Sequence, residues 1–437
     1  LRSDKSSVYS LRKISSSLFL DSHLSKTPLS QSSSRAVPIE LLKHKNFRRV
    51  WLVGAVAGTM RWLDMLAIGV YVLEVTGSPL TVAMTLFVRM LPMFLFGALA
   101  GAYAETVDRK KLLTLLLFVL CGVYIVLYVL MRTGNLELWH LGLGVFFSGI
   151  YWALEMTIRR TMIAEIAGMD KISAAMGLDT CTNNATRMLG PFVGGFLYES
   201  FGLEGTLILG AMLHVVAGLI LMTVEYATHP ARDYRPSLLV NMIEGIQFVR
   251  SSRIVMATLV ITMILNLFGF SFMSMVPVIA KEDLGLSPFP TGILMSAEGA
   301  GALVGALIIA FFAPSKRFHQ IYFFGASLYI ICVVLFALSS VFTSSFVLLL
   351  VGGFGLSGFA AMQSALIISN TPIEKRNRVM GVLATCIGFG PIGILTVGLL
   401  ANHLGASTAV LIMSSTGALL MIIAVLYWPD MRKLRAS

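Results

Sequence analysis

Twelve long apolar stretches separated by short loops narrow what this chain can fold into more than any other feature. A helix needs about 20 apolar residues to cross a bilayer. The sequence supplies such runs at 50–73, 80–103, 111–131, 138–158, 176–198, 204–226, 254–280, 289–313, 320–340, 343–369, 380–402 and 406–428. Apolar residues make up 57% of the 437 residues and charged residues 13%. A soluble domain has roughly 45–50% apolar and about 25% charged residues. No soluble fold could cover this much apolar side chain, whereas lipid allows it to face outward. The expected fold class is an all-α membrane protein with twelve transmembrane helices.

The basic residues test that layout. The net charge of +11 does not point to nucleic acid, because the charges sit in short clusters between apolar runs. One set of loops carries Arg48–Arg49, Arg109–Lys110–Lys111, Arg159–Arg160 with Lys171, and Arg232 and Arg235 with Arg250. It continues with Lys316–Arg317, Lys375–Arg376 with Arg378, and Arg432–Lys433. The alternate loops hold little beyond Arg132 and Lys281. Basic loops stay cytoplasmic, so both termini are expected on the cytoplasmic side of the cell membrane.

Residues 1–42 are Ser-rich and poor in acids, the composition of a disordered cytoplasmic tail; an organellar transit segment is the alternative. The chain begins at Leu1, so its true start is left open. The loop 227–252 divides the spans six and six and contains an amphipathic stretch, Leu238–Val249. This gives bundles at 43–226 and 253–437. A weak repeat relates them: Gly195-Phe196-Leu197 with Gly202 matches Gly398-Leu399-Leu400 with Gly405, and Met176-Gly177 matches Met380-Gly381. Parallel six-span repeats are a transporter architecture with the substrate site between the halves.

Three motifs carry a resemblance. The loop after the second span reads Gly101-Ala-Tyr-Ala-Glu105-Thr-Val-Asp108-Arg109-Lys110-Lys111. The first span ends Leu73-Glu74-Val75-Thr76-Gly77-Ser78, and the fifth contains Gly190-Pro191-Phe192-Val193-Gly194-Gly195. Together they resemble the major facilitator superfamily, in the branch of enterobactin exporters and macrolide efflux proteins. Thr106 and Asp108 depart from the family loop, and Thr186 stands where the antiporter motif has glycine. The resemblance implies two pseudo-symmetric six-helix bundles, export of diverse small molecules and an inner gate around Gly101, Glu105, Asp108, Arg109 and Lys110. The glycines and Pro191 also suit plain helix packing.

Charges at bilayer depth are costly and face a cavity or a partner. Arg61 and Asp64, three residues apart on one helix face, are expected to pair. Asp64 is a candidate proton acceptor. Arg89 is an anchor for anionic cargo, a partner for an outer gate, or a residue snorkelling to the headgroups. Asp179, Asn183 and Arg187 form a stripe, with Arg187 lining the pathway. Asp179 joins Glu155, Arg159 and Arg160 in the inner gate. Glu298 has no base on its own helix and suits a group that binds and releases a proton. Asn266 and Gln363 are polar amides suited to helix contacts or the pathway. His214 is expected to be a packed polar residue rather than a proton relay.

Cys121, Cys181, Cys332 and Cys386 lack metal-ligand spacing, so neither a metal nor a disulfide framework is indicated. No Gly-x-x-x-x-Gly-Lys loop is present, which argues against direct ATP drive. The expected protein is not an enzyme and has no cofactor. It exports an amphipathic small molecule, a siderophore or drug-like compound, as a monomer in exchange for protons. Three interior arginines lean toward anionic cargo. A lysophospholipid or other solute carrier on the same fold, and a non-transporting receptor or partner subunit, are the alternatives.

Overall fold

A computed structural model describes residues 37–226, 238–312 and 317–428. Arg232, Arg235, Lys316, Arg432 and Lys433 lie outside them, as do the side chains of Gly101 and Glu105 and residues 1–36 of the expected tail.

The apolar runs form helices bounded by local signals. Lys45–Thr76 (α1) closes on Gly77, whose left-handed φ of 59° lets its N–H reach Leu73 O. Pro79–Thr106 (α2) starts with Ser78 accepting from Thr81 N and Pro79 in the first turn, where a missing N–H costs nothing. Arg109–Arg132 (α3) is capped by Asp108, which accepts from Lys111 N. Leu138–Ala167 (α4) follows.

Next comes a 51-residue helical segment, Ile172–Met222, too long for a single span. At 1.5 Å per residue it would reach about 76 Å, far beyond the roughly 30 Å hydrocarbon core. Gly202 breaks it with φ 62° and ψ −162°. The two parts, 172–201 (α5) and 203–222 (α6), are separate spans.

The second half comprises Arg253–Ser274 (α7), Pro288–Phe312 (α8), Phe318–Ala337 (α9), Phe342–Ser369 (α10), Arg378–Leu404 (α11) and Ala406–Tyr427 (α12). Gly405 ends α11 with φ 83°, the counterpart of Gly202 in the repeat. Among the described residues ten helices are long and apolar enough to span. Dividing Ile172–Met222 and adding α2, with its apolar stretch Pro79–Leu95, brings the spans to twelve. The expected seventh span, 254–280, is irregular: a π turn at Leu265–Gly269 and a 3-10 turn at Phe270–Ser274 lead into Val276–Glu282.

The expected amphipathic stretch is a helix, Leu238–Ser251. Its Glu244 pairs with Arg378, and Val249 is buried with Val255, Leu259, Val379 and Leu383.

In the first half α1 packs most extensively on the paired helices α5 and α6, and in the second α10 packs on both α8 and α9. The halves meet along α5–α8 and α2–α11. The junction is tightest away from the basic loops. There Glu199 accepts from Ser287 Oγ at 2.8 Å and Phe289 N at 2.7 Å, and Ser78 Oγ lies 3.4 Å from Asn402 Oδ1. Phe192 and Phe196 pack edge-on against Phe289. Toward the basic loops, no comparable packing joins α4 to α10 or α11 among the described residues. Among the described residues, the two halves are thus less closely packed at their basic end.

Candidate functional site

The polar residues inside the spans gather into two groups. The first belongs to the first half. Asp64 on α1, 2% exposed, accepts from Arg89 Nη1 on α2 at 2.8 Å and from the Tyr124 hydroxyl on α3 at 2.7 Å. Arg89 also donates to Ser148 Oγ at 3.3 Å. One turn toward the basic end, Arg61 donates to Glu155 on α4 at 2.9 Å and lies over the Trp152 ring. Glu155 also accepts from Arg159, which bonds Asp179 on α5; Arg160 reaches the same carboxylate at 3.0 Å.

This corrects the expected Arg61–Asp64 pair. Helical spacing makes the two neighbours, but each takes its partner from another helix. Arg89 does not snorkel: at 3% exposure it is sealed against Asp64. The expected excess of positive charge is also absent among the described residues. Arg61, Arg89, Arg159 and Arg187 each meet a carboxylate, as burial of a charge requires.

The second group crosses between the halves. Arg187 Nη2 on α5 donates to Glu298 Oε2 on α8 at 2.7 Å and contacts Met273 Sδ at 3.4 Å. Its guanidinium lies 4.8 Å from the Trp62 ring centroid. The Tyr329 hydroxyl donates to the other Glu298 oxygen at 3.2 Å. Glu298 is therefore not the isolated carboxylate expected from its own helix. A small space of about 10 Å³ borders this pair, with Trp62, Phe272, Met273 and Met295 in its walls, and a second of about 20 Å³ shares Met273 and Met295 but is lined by Met65, Ile68 and Arg89 instead of the pair. Their walls come from both halves and are mostly apolar.

The expected packing motif positions these charges. A Cβ on Gly190 would meet Trp62 Cβ at 2.5 Å, and one on Gly194 would meet Leu63 O at 2.9 Å, so both bring α5 onto α1. Gly195 instead faces Pro288 O and the Gly292 Cα, across the halves. Pro191 lies beside them and its carbonyl packs on Gly292. Thr186, in place of the expected glycine, is met by Gly58 on α1. Here the small residue of the contact is on α1, where Gly58 makes room for the Thr186 side chain.

The remaining expected residues lie elsewhere. Asn266 Nδ2 donates to Thr262 O at 2.9 Å, and Gln363 Nε2 donates to Thr262 Oγ1 at 2.8 Å. The first bond lies within α7, and the second ties α10 to α7 inside the second half. Arg109 pairs with Glu165 at 2.7 Å and Tyr226 at 3.0 Å, at the basic end of the first half. Lys110 accepts from Thr114 through its carbonyl. Residue spacing missed Tyr124, Ser148, Tyr329 and the tryptophans Trp62 and Trp152. Hydroxyls and aromatic rings are ordinary inside spans, so only the fold distinguishes these.

The family described as transmembrane secretion effector matches residues 36–436. The chain belongs to that family, within the major facilitator superfamily. It is similar to macrolide efflux protein A of Streptococcus pyogenes, with 21% identity over 87% of this chain and 94% of that one. It is also similar to the enterobactin exporter of Salmonella choleraesuis, with 24% identity over 79% of this chain and 83% of that one. A solved POT family transporter in complex with a thioalcohol conjugated peptide superposes with a TM-score of 0.70 at 13% identity, covering 91% of this chain and all of that one. The last likeness shows the fold, two six-helix bundles, and the family makes the chain a multi-span membrane transporter.

Proposed function

We propose that this chain is a secondary-active exporter of an amphipathic small molecule, driven by inward proton flow, with both termini in the cytoplasm. The observation that carries the reading is the Arg187–Glu298 pair, which ties the two halves together at mid-membrane. An ion pair across a moving interface biases a two-state equilibrium. A proton placed on Glu298 removes the charge that holds Arg187, and the halves are then free to rock. With the basic end cytoplasmic, the arrangement described above is open inward and closed outward.

The apolar, Met- and aromatic-lined surroundings of that pair support an amphipathic cargo. The neutral charge balance argues against selecting cargo by net negative charge. Macrolide and siderophore export by the relatives supports a drug-like cargo of that kind. The inner charges Asp108, Arg109, Arg159 and Arg160 would stabilise the closed inner gate of the opposite state.

Everted vesicles test the reading. A radiolabelled macrolide and enterobactin should accumulate in vesicles bearing the protein when an inward-acid gradient is imposed, and Glu298→Gln should uncouple accumulation from the gradient. Unchanged gradient-coupled transport in both Glu298→Gln and Asp64→Asn would remove the proton-coupling part. No accumulation of either probe by the unaltered protein would remove this cargo class.

A further inference from the structure

Beside Asp64 lies a small space that the Arg187–Glu298 pair does not touch. Its polar walls are Arg61, Asp64, Arg89, Ser148, Tyr151, His214 and Trp152, whose indole N–H is also buried without a partner. Its volume of about 10 Å³ is close to the smallest that holds one water. Tyr124 also borders it, but spends its hydroxyl hydrogen on Asp64.

Two observations point to an occupant. The Tyr151 hydroxyl is buried with no hydrogen-bond partner, and buried hydroxyls nearly always have one. His214, 2% exposed, meets Gly210 O through Nδ1 at 2.7 Å. A carbonyl only accepts, so Nδ1 carries the hydrogen and the neutral ring keeps its lone pair on Nε2. The ring stacks on Tyr124 at 5.1 Å and meets Tyr151 edge-on at 6.0 Å. A histidine able to take a proton thus shares one water-sized space with a buried carboxylate and an unsatisfied hydroxyl.

We propose that this space holds one ordered water, which links His214 Nε2 to the Asp64 carboxylate and makes the first half a second proton-binding site beside Glu298. A proton resting on Asp64 passes to the water as the water gives one of its own to Nε2. Aspartate and imidazolium result, and no other bond changes. The groups around the exchange are Arg61 and Asp64 from α1, Arg89 from α2, Tyr124 from α3, and Tyr151 and Glu155 from α4. The carboxylates of Asp64 and Glu155 offset Arg61 and Arg89, so the cluster is neutral until an extra proton enters. The site then holds one positive charge, shared between aspartic acid and imidazole.

Proton titration of the full-length protein in lipid nanodiscs tests this without any cargo, so its failure is distinct from failure of the export reading. With histidine nitrogens labelled with ¹⁵N, the His214 signal is the one lost in His214→Phe. Its titration midpoint should move by roughly 1–3 pH units in Asp64→Asn, the size expected for a charge within hydrogen-bonding range. Tyr151→Phe removes a single oxygen and should move the midpoint by about half a unit through loss of the water's hydrogen bond. It also tests the link if Asp64→Asn does not fold. Glu298→Gln should leave the midpoint in place. A midpoint fixed to within about 0.2 unit in whichever of the two first-half variants fold overturns the proposal. So does an equal shift in Glu298→Gln.

Discussion

Replacing Glu298 by Gln removes one charge from a pair that bridges the halves and leaves the shape of the side chain. The two charged groups are in hydrogen-bonding contact at 2.7 Å, and their side chains are 14% and 6% exposed. At about 4 Å between charge centres and an effective dielectric constant near 20, the attraction is about 4 kcal/mol. The amide still accepts a hydrogen bond worth about 1 kcal/mol, and desolvation offsets part of the remainder. A net loss of about 1–3 kcal/mol follows, which changes a two-state equilibrium roughly 5- to 150-fold. The loss falls on the arrangement in which α5 and α8 touch at mid-membrane. Spin labels at Asp170→Cys and Glu374→Cys report it, because both positions are exposed at the basic end, one in each half. Cys181 and Cys386, each partly exposed, are replaced by Ser in this background. Distances from pulsed electron resonance should show a new shorter population in Glu298→Gln, as the basic ends close. An unchanged distribution would refute the view that this pair holds the halves in their present arrangement.

Three further outcomes follow from the same geometry. Arg89→Met strands the buried Asp64 carboxylate without its cation, so thermal unfolding in detergent should show a loss of about 3–5 kcal/mol, most of it recovered in Arg89→Met/Asp64→Leu. Gly299→Leu places a side chain against Met188 N and the Arg187 carbonyl carbon, 2.5 and 2.6 Å from its Cβ; the same spin labels should report the shorter distance even though Glu298 is intact. Outside the spans, burial and then the bond to Glu165 raise the Tyr226 pKa above its usual 10. The stabilisation linked to that shift is complete below pH 10 and is lost as pH rises through the folded value, so Tyr226→Phe should flatten the alkaline limb of a stability curve above pH 10.

The spans were legible because each is a local property: summed apolar transfer over about 20 residues marks a helix whatever it packs against. The Gly202 break and its Gly405 counterpart were legible for a similar reason, since a left-handed φ selects glycine. The ion pairs were not. Spacing along α1 proposes Asp64 for Arg61, but the partner is decided by how each helix is rotated about its axis. That rotation is set by contacts such as Gly190 and Gly194 on α1 and Gly58 on Thr186, which involve two helices at once. Glu298 appeared isolated for the same reason, because its cation lies 111 residues away on α5. The Gly101–Lys111 loop named the superfamily, yet Arg109 turns to Glu165 and Tyr226, neither of which the motif contains.

The same chemistry thus serves two ends, and the distinction lies in whether the partners move relative to one another. Asp64–Arg89, Arg61–Glu155 and Arg159–Asp179 join helices of one bundle. If that bundle rocks as a rigid body, these pairs keep their geometry through the cycle and cancel charge within a low-dielectric interior, whatever else their members do. Arg187–Glu298 joins two bundles and must break when they separate. Stability and direction should therefore come apart under mutation. Loss of Arg89 should lower the unfolding temperature while the distance between the basic ends of whatever protein remains folded is unchanged. Loss of Arg187 should change that distance with a smaller effect on unfolding, because the freed Glu298 gains access to water as the halves part. A variant of Arg89 that changes the balance between the two arrangements as strongly as Arg187→Met would show that the first bundle is not rigid, and would place the moving joint inside it.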